Sequence, residues 1–222
     1  VQRVAVVACL VRIEDAVAAK WTEKTEGWIA GLHLGALSIL QRGDATSILT
    51  EIPSGLPYAT EYLFDEIFKH QPPEIRRYLM STSVLNRFCA SLCDALLADE
   101  EKLDKHGISG QEFINWLREN NLFIIPLDNR RFWFRYHHLF ADFLRLRLRK
   151  RPLEETDELH RRAAAWFEEN GLLAEAIDHA LGGQDFQRAT RLIEQNALNT
   201  IFGHAQWTTF IDWMEALPAE EV

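Results

Sequence analysis

The chain has 222 residues, 47% of them apolar and 26% charged, with a net charge of −9. That is the balance of a globular protein with room for about one to three domains. The acidic balance argues against non-specific nucleic-acid binding, whose affinity rests on Lys and Arg neutralising phosphates, so any such contact would need a local basic patch.

Three cysteines, Cys9, Cys89 and Cys93, are too few and too odd in number for a disulfide scaffold, and they point to a reducing, cytoplasmic setting. Cys89 and Cys93 are four apart, share a face on a helix, and are expected as buried small hydrophobes. No second pair completes a zinc site.

The apolar run 4–11 is too short for a bilayer, which needs about 20 apolar residues, so no membrane partner is expected. The first residue is Val rather than Met, and the chain is expected to be a piece of a longer protein.

Residues 14–24 read as a short amphipathic helix. EGWIAGLHLGALSILQ, residues 26–41, puts Trp28, Leu32, Ala36 and Ile39 on one stripe, which Ile29, Leu37 and Leu40 widen into a largely buried helix. Thr25 suits its cap, and the two helices form a hairpin. IPSGLP, residues 52–57, breaks the pattern with two prolines and a glycine.

TEYLFDEIFKHQ, residues 60–71, predicts a helix with Tyr62, Leu63, Ile67 and Phe68 inward. Pro72 and Pro73 end it, and Pro73 suits the first turn of the next helix, EIRRYLMSTSVL. Two more helices are predicted over 88–97 and 111–120. LFIIPLD (122–128) and FWFRY (132–136) are then β-branched and aromatic, with the turn signal DNRR at 128–131, and they predict a β-hairpin.

A helix over 138–150 follows, with Leu139, Phe140, Phe143, Leu144 and Leu148 as its buried stripe. Helices, hairpin, helix is the pattern of a winged-helix domain, although periodicity alone does not force that topology. After Pro152 come helices of ten to fourteen residues separated by Gly171 and by Gly182-Gly183. Ala164, Ala176, Ala180 and Ala189 stand at close-approach positions, the mark of a helical solenoid of the tetratricopeptide type.

The fold class expected is therefore mostly α with one small β-hairpin. A helical lid segment would occupy 1–52, a winged-helix domain 53–151, and the first hairpins of a TPR-like α-solenoid 152–222.

His137 and His138 are the first candidates for chemistry. Side by side, they point about 100° apart on a helix and to opposite faces of a strand, a poor arrangement for one metal ion. Neither completes a Glu-x-x-His or His-x-x-x-His motif. Asp142, four after His138, allows a helical His–Asp pair. Three readings stand: a structural histidine, a nucleotide-state contact, since imidazole donates to phosphate and titrates near neutrality, and, least favoured, a metal ligand or general base.

The cluster Arg145, Arg147, Arg149, Lys150 and Arg151 closes the same helix, where cations favour the macrodipole by about 0.3–1 kcal/mol each. Arg135, Arg145 and Arg149 are the candidates for interdomain or phosphate contacts. The acidic pairs at 99–101, 154–155, 168–169 and 220–221 read as solvated surface, since a catalytic pair needs a pocket that splits its pKa values. No phosphate loop, dinucleotide turn or nucleophile elbow is present. No catalytic residue and no metal or other cofactor is assigned to this fragment.

Four segments follow one another in order: TEGWIAGLHLGALSI, YLMSTSVLNRFCASLCDAL, NNLFIIPLDNRRFWFRYHHLFADFLRLRL and ELHRRAAAWFEENGLLAEAIDHAL. Across roughly residues 14–217 the chain resembles the central part of the large ATP-dependent LuxR-family transcriptional regulators, the MalT-like signal-transduction ATPases. The resemblance implies an upstream nucleotide-binding core holding ATP or ADP, and a downstream sensor and helix-turn-helix.

It further implies self-association on activation, and DNA binding only through the missing C-terminal domain. It implies that a winged-helix histidine, His137 or His138, touches the bound ADP and holds the resting form, with the one that begins the helix favoured. A different reading makes the winged helix a DNA-binding module in its own right, acting through the basic helix end.

Overall fold

The computed structural model describes residues 64, 65, 67–98, 107–120, 122–202 and 207–218. The lid segment expected over 1–52 lies outside them, as do Cys9 and the start of the helix expected from residue 60.

The described architecture is mostly α with one hairpin, as the sequence predicts. Its elements are α1 (Pro73–Ser81), a 3-10 turn (Thr82–Val84), α2 (Ala90–Leu97), α3 (Gly110–Glu119), β1 (Ile124–Pro126), β2 (Phe134–Tyr136), α4 (His138–Leu148), α5 (Leu153–Glu169), α6 (Leu173–Gly182), α7 (Phe186–Phe202) and α8 (Trp207–Ala216). Residues 64, 65 and 67–69 are also helical.

The described residues fall into two compact units, 64–76 with 137–143 and 77–136 with 144–218. In the first, four phenylalanines make the core. Phe64 meets Phe140 edge-on at 5.3 Å and Phe143 at 5.6 Å, and Phe68 meets Phe143 at 6.2 Å. Such edge-to-face pairs add about 0.5–1.5 kcal/mol each beyond burial.

The second unit is built around Tyr78. Its ring stacks on Phe113 at 4.7 Å, and its hydroxyl donates to the Ile108 carbonyl at 2.7 Å. Asp94 accepts from the Tyr78 hydroxyl at 3.3 Å and from the Gly110 amide. Gly110 is required there: a Cβ would lie 2.2 Å from the Ala90 carbonyl oxygen. α3 starts with a capping box. The Ser109 hydroxyl accepts from the Glu112 amide, and the Ser109 amide donates to the Glu112 carboxylate at 2.8 Å.

The hairpin is antiparallel, with Ile124 opposite Tyr136, Ile125 opposite Arg135 and Pro126 opposite Phe134. Phe88 and Phe134 exchange both backbone hydrogen bonds, at 2.8 and 2.9 Å, which anchors β2 to the chain ahead of α2. Asp128 closes the turn by accepting from the amides of Phe132 and Trp133 at 3.1 and 2.7 Å. Those amides, Trp133 first, hold its carboxyl below the usual range.

After Pro152 the helices pack in succession. α5 packs on α6, α6 on α7, and α8 on both α6 and α7. α5 also packs on α2, where Arg162 donates to the Leu96 carbonyl at 3.0 Å.

Several local expectations are corrected. The helix expected through Leu85 tightens into the 3-10 turn at Thr82. Cys89 is not helical: it has extended φ −133° and caps α2, although it and Cys93 are both buried as expected. α4 ends at Leu148 rather than residue 150. Its buried set takes Ala141 and leaves Leu139 half-buried. At the turn after α6, Gly183 has ordinary φ −93°, and the left-handed residue is Gln184 at φ +55°. The two glycines serve close approach instead: a Cβ on Gly182 would lie 2.8 Å from His160 Nδ1, and one on Gly183 2.8 Å from the Asp157 carbonyl.

Candidate functional site

The imidazole pair sits where β2 gives way to α4. His137 is buried and precedes the helix, and its carbonyl accepts from the amides of Phe140 at 3.0 Å and Ala141 at 2.9 Å, which sets the first turn. His138 is the first helical residue and is half-buried. Their rings stack, with centroids 4.6 Å apart and planes 25° from parallel. The chain turns from strand to helix between them, so neither the opposite faces of a strand nor the 100° of a helix applies. Phe140 and Phe143 fix the helix beneath the pair by packing on Phe64.

The arginines divide by what they touch. Arg145 donates to the Ser83 carbonyl at 3.2 Å and to Asn86 Oδ1 at 3.0 Å, tying α4 to the 3-10 turn region. Arg149 is exposed beyond the end of α4. Arg135, half-buried on β2, donates to the Tyr136 carbonyl at 3.2 Å. Arg151 pairs with Glu155 at 3.3 Å. An exposed pair of that kind is worth at most about 1 kcal/mol. The basic helix end is thus partly committed to intramolecular contacts.

Two clusters escaped the sequence reading. Arg87 lies over the Trp133 ring, 4.3 Å from its centroid, and pairs with Glu175 of α6. His160 of α5 and His179 of α6 meet at 3.0 Å, Nδ1 to Nδ1. His179 is pushed down to about 3 by burial and, next, by the nearness of His160; burial lowers His160 as well. Such a contact requires one ring to donate and the other to accept, and burial favours the neutral form of both. The available signal was periodic: His160, Ala164 and Phe167 fall on one stripe of α5, and His179 falls beside Ala176 and Ala180 on α6.

Among the described residues, no group of three His, Cys, Asp or Glu side chains could hold a metal ion. Nor is any helix among the described residues long and apolar enough to cross a membrane.

A family described as the MalT winged helix domain matches residues 64–156. The serine/threonine-protein kinase PknK of Mycobacterium tuberculosis (strain ATCC 25618 / H37Rv) is 37% identical over 202 residues, covering 90% of this chain and 17% of the kinase. The HTH-type transcriptional regulator MalT of Serratia proteamaculans (strain 568) is 32% identical over 212 residues, 95% of this chain and 22% of the regulator. MalT of Yersinia enterocolitica serotype O:8 / biotype 1B (strain NCTC 13174 / 8081) is 32% identical over 210 residues, 94% of this chain and 22% of the regulator.

The chain thus spans about a fifth of the length of the curated relatives it matches. The hairpin flanked by α3 and α4, the ordered segments and these matches agree: residues 64–156 are a MalT winged helix domain, and about 90% of the chain is homologous to parts of MalT regulators and of PknK.

Proposed function

We propose that this chain is the regulatory middle region of a larger MalT-like protein of the cytoplasm, coupling the state of a bound nucleotide to an output domain. The intact protein would hold ATP or ADP in an upstream core. ADP favours the clasped, resting form. Inducer with ATP favours the released form, which self-associates and places a C-terminal helix-turn-helix on promoters. A ligand moves such a balance only by its differential affinity for the two forms.

One observation carries the reading. His138 opens α4, half-buried, with its ring stacked on buried His137. The stack pre-orients an imidazole at a helix N-terminus, where the peptide dipoles favour an anion such as phosphate. His137 is the support and His138 the nucleotide contact. Arg135, Arg145 and Arg149 are secondary candidates for phosphate or interdomain contact, Arg149 foremost because it is exposed.

The test uses the intact parent protein. His138→Ala should speed ADP release and raise signal-independent output. Unchanged ADP release and unchanged basal output for both His138→Ala and His137→Ala would reject the role.

A second reading of the output is favoured by the PknK relatives, which are 37% identical here against 32% for MalT. The same regulatory region beside a kinase would gate phosphorylation instead of transcription. The flanking gene sequence separates the two outputs. Direct DNA binding through the basic helix end has less support, because Arg145 and Arg151 are held by Ser83, Asn86 and Glu155.

A further inference from the structure

Arg87 lies on the short connection between the 3-10 turn and α2. One cation there serves three elements. Its guanidinium stacks over Trp133, the residue just before β2, 4.3 Å from the ring centroid. The same group pairs with Glu175 in the first turn of α6. Trp133 in turn meets Trp166 of α5 edge-on, centroids 6.0 Å apart and planes at 85°. Arg87 thereby joins the hairpin to α6 directly, and α5 joins them through the Trp133–Trp166 contact.

We propose that Arg87 is a latch that fixes the β-hairpin to the α5–α6 helical pair, so that the wing and the first solenoid helices move together while it is closed and separately when it opens. The inference deepens the coupling reading above, because it names the residue that would transmit a change from one part to the other.

The chemistry suits a latch more than a permanent brace. Arg87 and Glu175 are 33% and 32% exposed, so water and salt reach the pair and screen it. The planar guanidinium both stacks on an indole and presents parallel N–H donors to a carboxylate, which an ammonium cannot do together. The indole edge-to-face contact is directional, so it reports closure. The tie from Arg162 to the Leu96 carbonyl, one helix away, holds α5 to α2 whether the latch is open or shut. Opening therefore releases the Trp133 end of the hairpin from α6, while the Phe88–Phe134 backbone pair keeps β2 on the chain ahead of α2.

The test uses the purified 222-residue chain without nucleotide, so its failure leaves the ADP reading untouched, and the converse holds. Hydrogen exchange is followed residue by residue in wild type, Arg87→Ala, Arg87→Lys, Glu175→Gln and the Arg87→Ala/Glu175→Gln double variant.

The expected result is exchange about tenfold faster in the hairpin and at the start of α6, with α2 and α3 unchanged. The tryptophan near-ultraviolet dichroism should fall, Arg87→Lys should restore little, and the double variant should be no worse than Arg87→Ala. Raised salt should move the wild type toward Arg87→Ala.

Unchanged exchange at the hairpin, additive effects of the two substitutions, or uniformly faster exchange across 77–218 would each overturn the latch. Should Arg87→Ala fail to fold, the same comparison between Glu175→Gln and Arg87→Lys decides the matter.

Discussion

His160 and His179 come from neighbouring helices and share one hydrogen bond, Nδ1 to Nδ1 at 3.0 Å, with Phe167 stacked on His179 at 5.3 Å. One of the two facing nitrogens donates and the other accepts, so a proton placed on the accepting Nδ1 breaks the bond.

Stability should therefore fall in mild acid. Burial, then His160, pushes His179 from the ordinary 6.5 down to about 3. A depressed folded pKa means that the unfolded chain binds the proton first. The neutral pair's contribution is intact above the unfolded value and is lost as pH drops from about 6.5 toward 3. Urea unfolding at pH 7.5 and at pH 5 measures this. The midpoint should drop more in wild type than in His179→Leu.

The glycines after α6 should resist substitution in a definite order. A Cβ on Gly183 meets backbone, 2.8 Å from the Asp157 carbonyl and 3.0 Å from the Arg161 amide. One on Gly182 meets the His160 ring, a side chain that can yield. Both alanine variants should lose about 1–3 kcal/mol, with Gly183→Ala the worse. Thermal melts followed by circular dichroism rank them.

Gly110→Ala should be more damaging than Gly171→Ala. The first forces a Cβ to 2.2 Å from the Ala90 carbonyl, between α2 and α3. The second has open space around it and suffers only from its left-handed φ of +72°, a cost of about 1–2 kcal/mol. Equal losses in denaturant midpoint for the two would contradict this account.

Two of the three thiols should be silent in the native state. Cys89 and Cys93 are fully buried, and burial, followed by the neighbouring Cys89, pushes the Cys93 thiol up. A buried thiol of raised pKa presents little thiolate to a reagent. Thiol titration should gain at least two equivalents, those of Cys89 and Cys93, when the chain is unfolded in denaturant.

Local chemistry along the sequence accounts for the type and order of the described elements. The stripe Phe140, Phe143, Leu144 and Leu148 announced α4, and the DNRR turn between two apolar runs announced the hairpin. Each of those signals is complete within one stretch of chain. Fine boundaries were less legible, because they depend on neighbours. Phe88 was drawn into a pairing with Phe134 instead of a helix, and Cys89 became a cap as a result.

The histidine pair at 137 and 138 could be found by inspection because the two residues are adjacent. Their stacking could not be found that way, since it needs the strand-to-helix turn that separates their backbones. The contacts of Arg87 with Glu175 and of His160 with His179 join residues far apart in the chain.

The sequence by itself determined the helical character, the hairpin and the family, since periodicity, turn residues and ordered segments are properties of the linear chain. Only the tertiary structure decided which polar side chains meet. A hydrogen bond or a stacked cation forms within a few ångströms, and that proximity is created by packing apolar faces together, which a one-dimensional pattern announces without fixing its register.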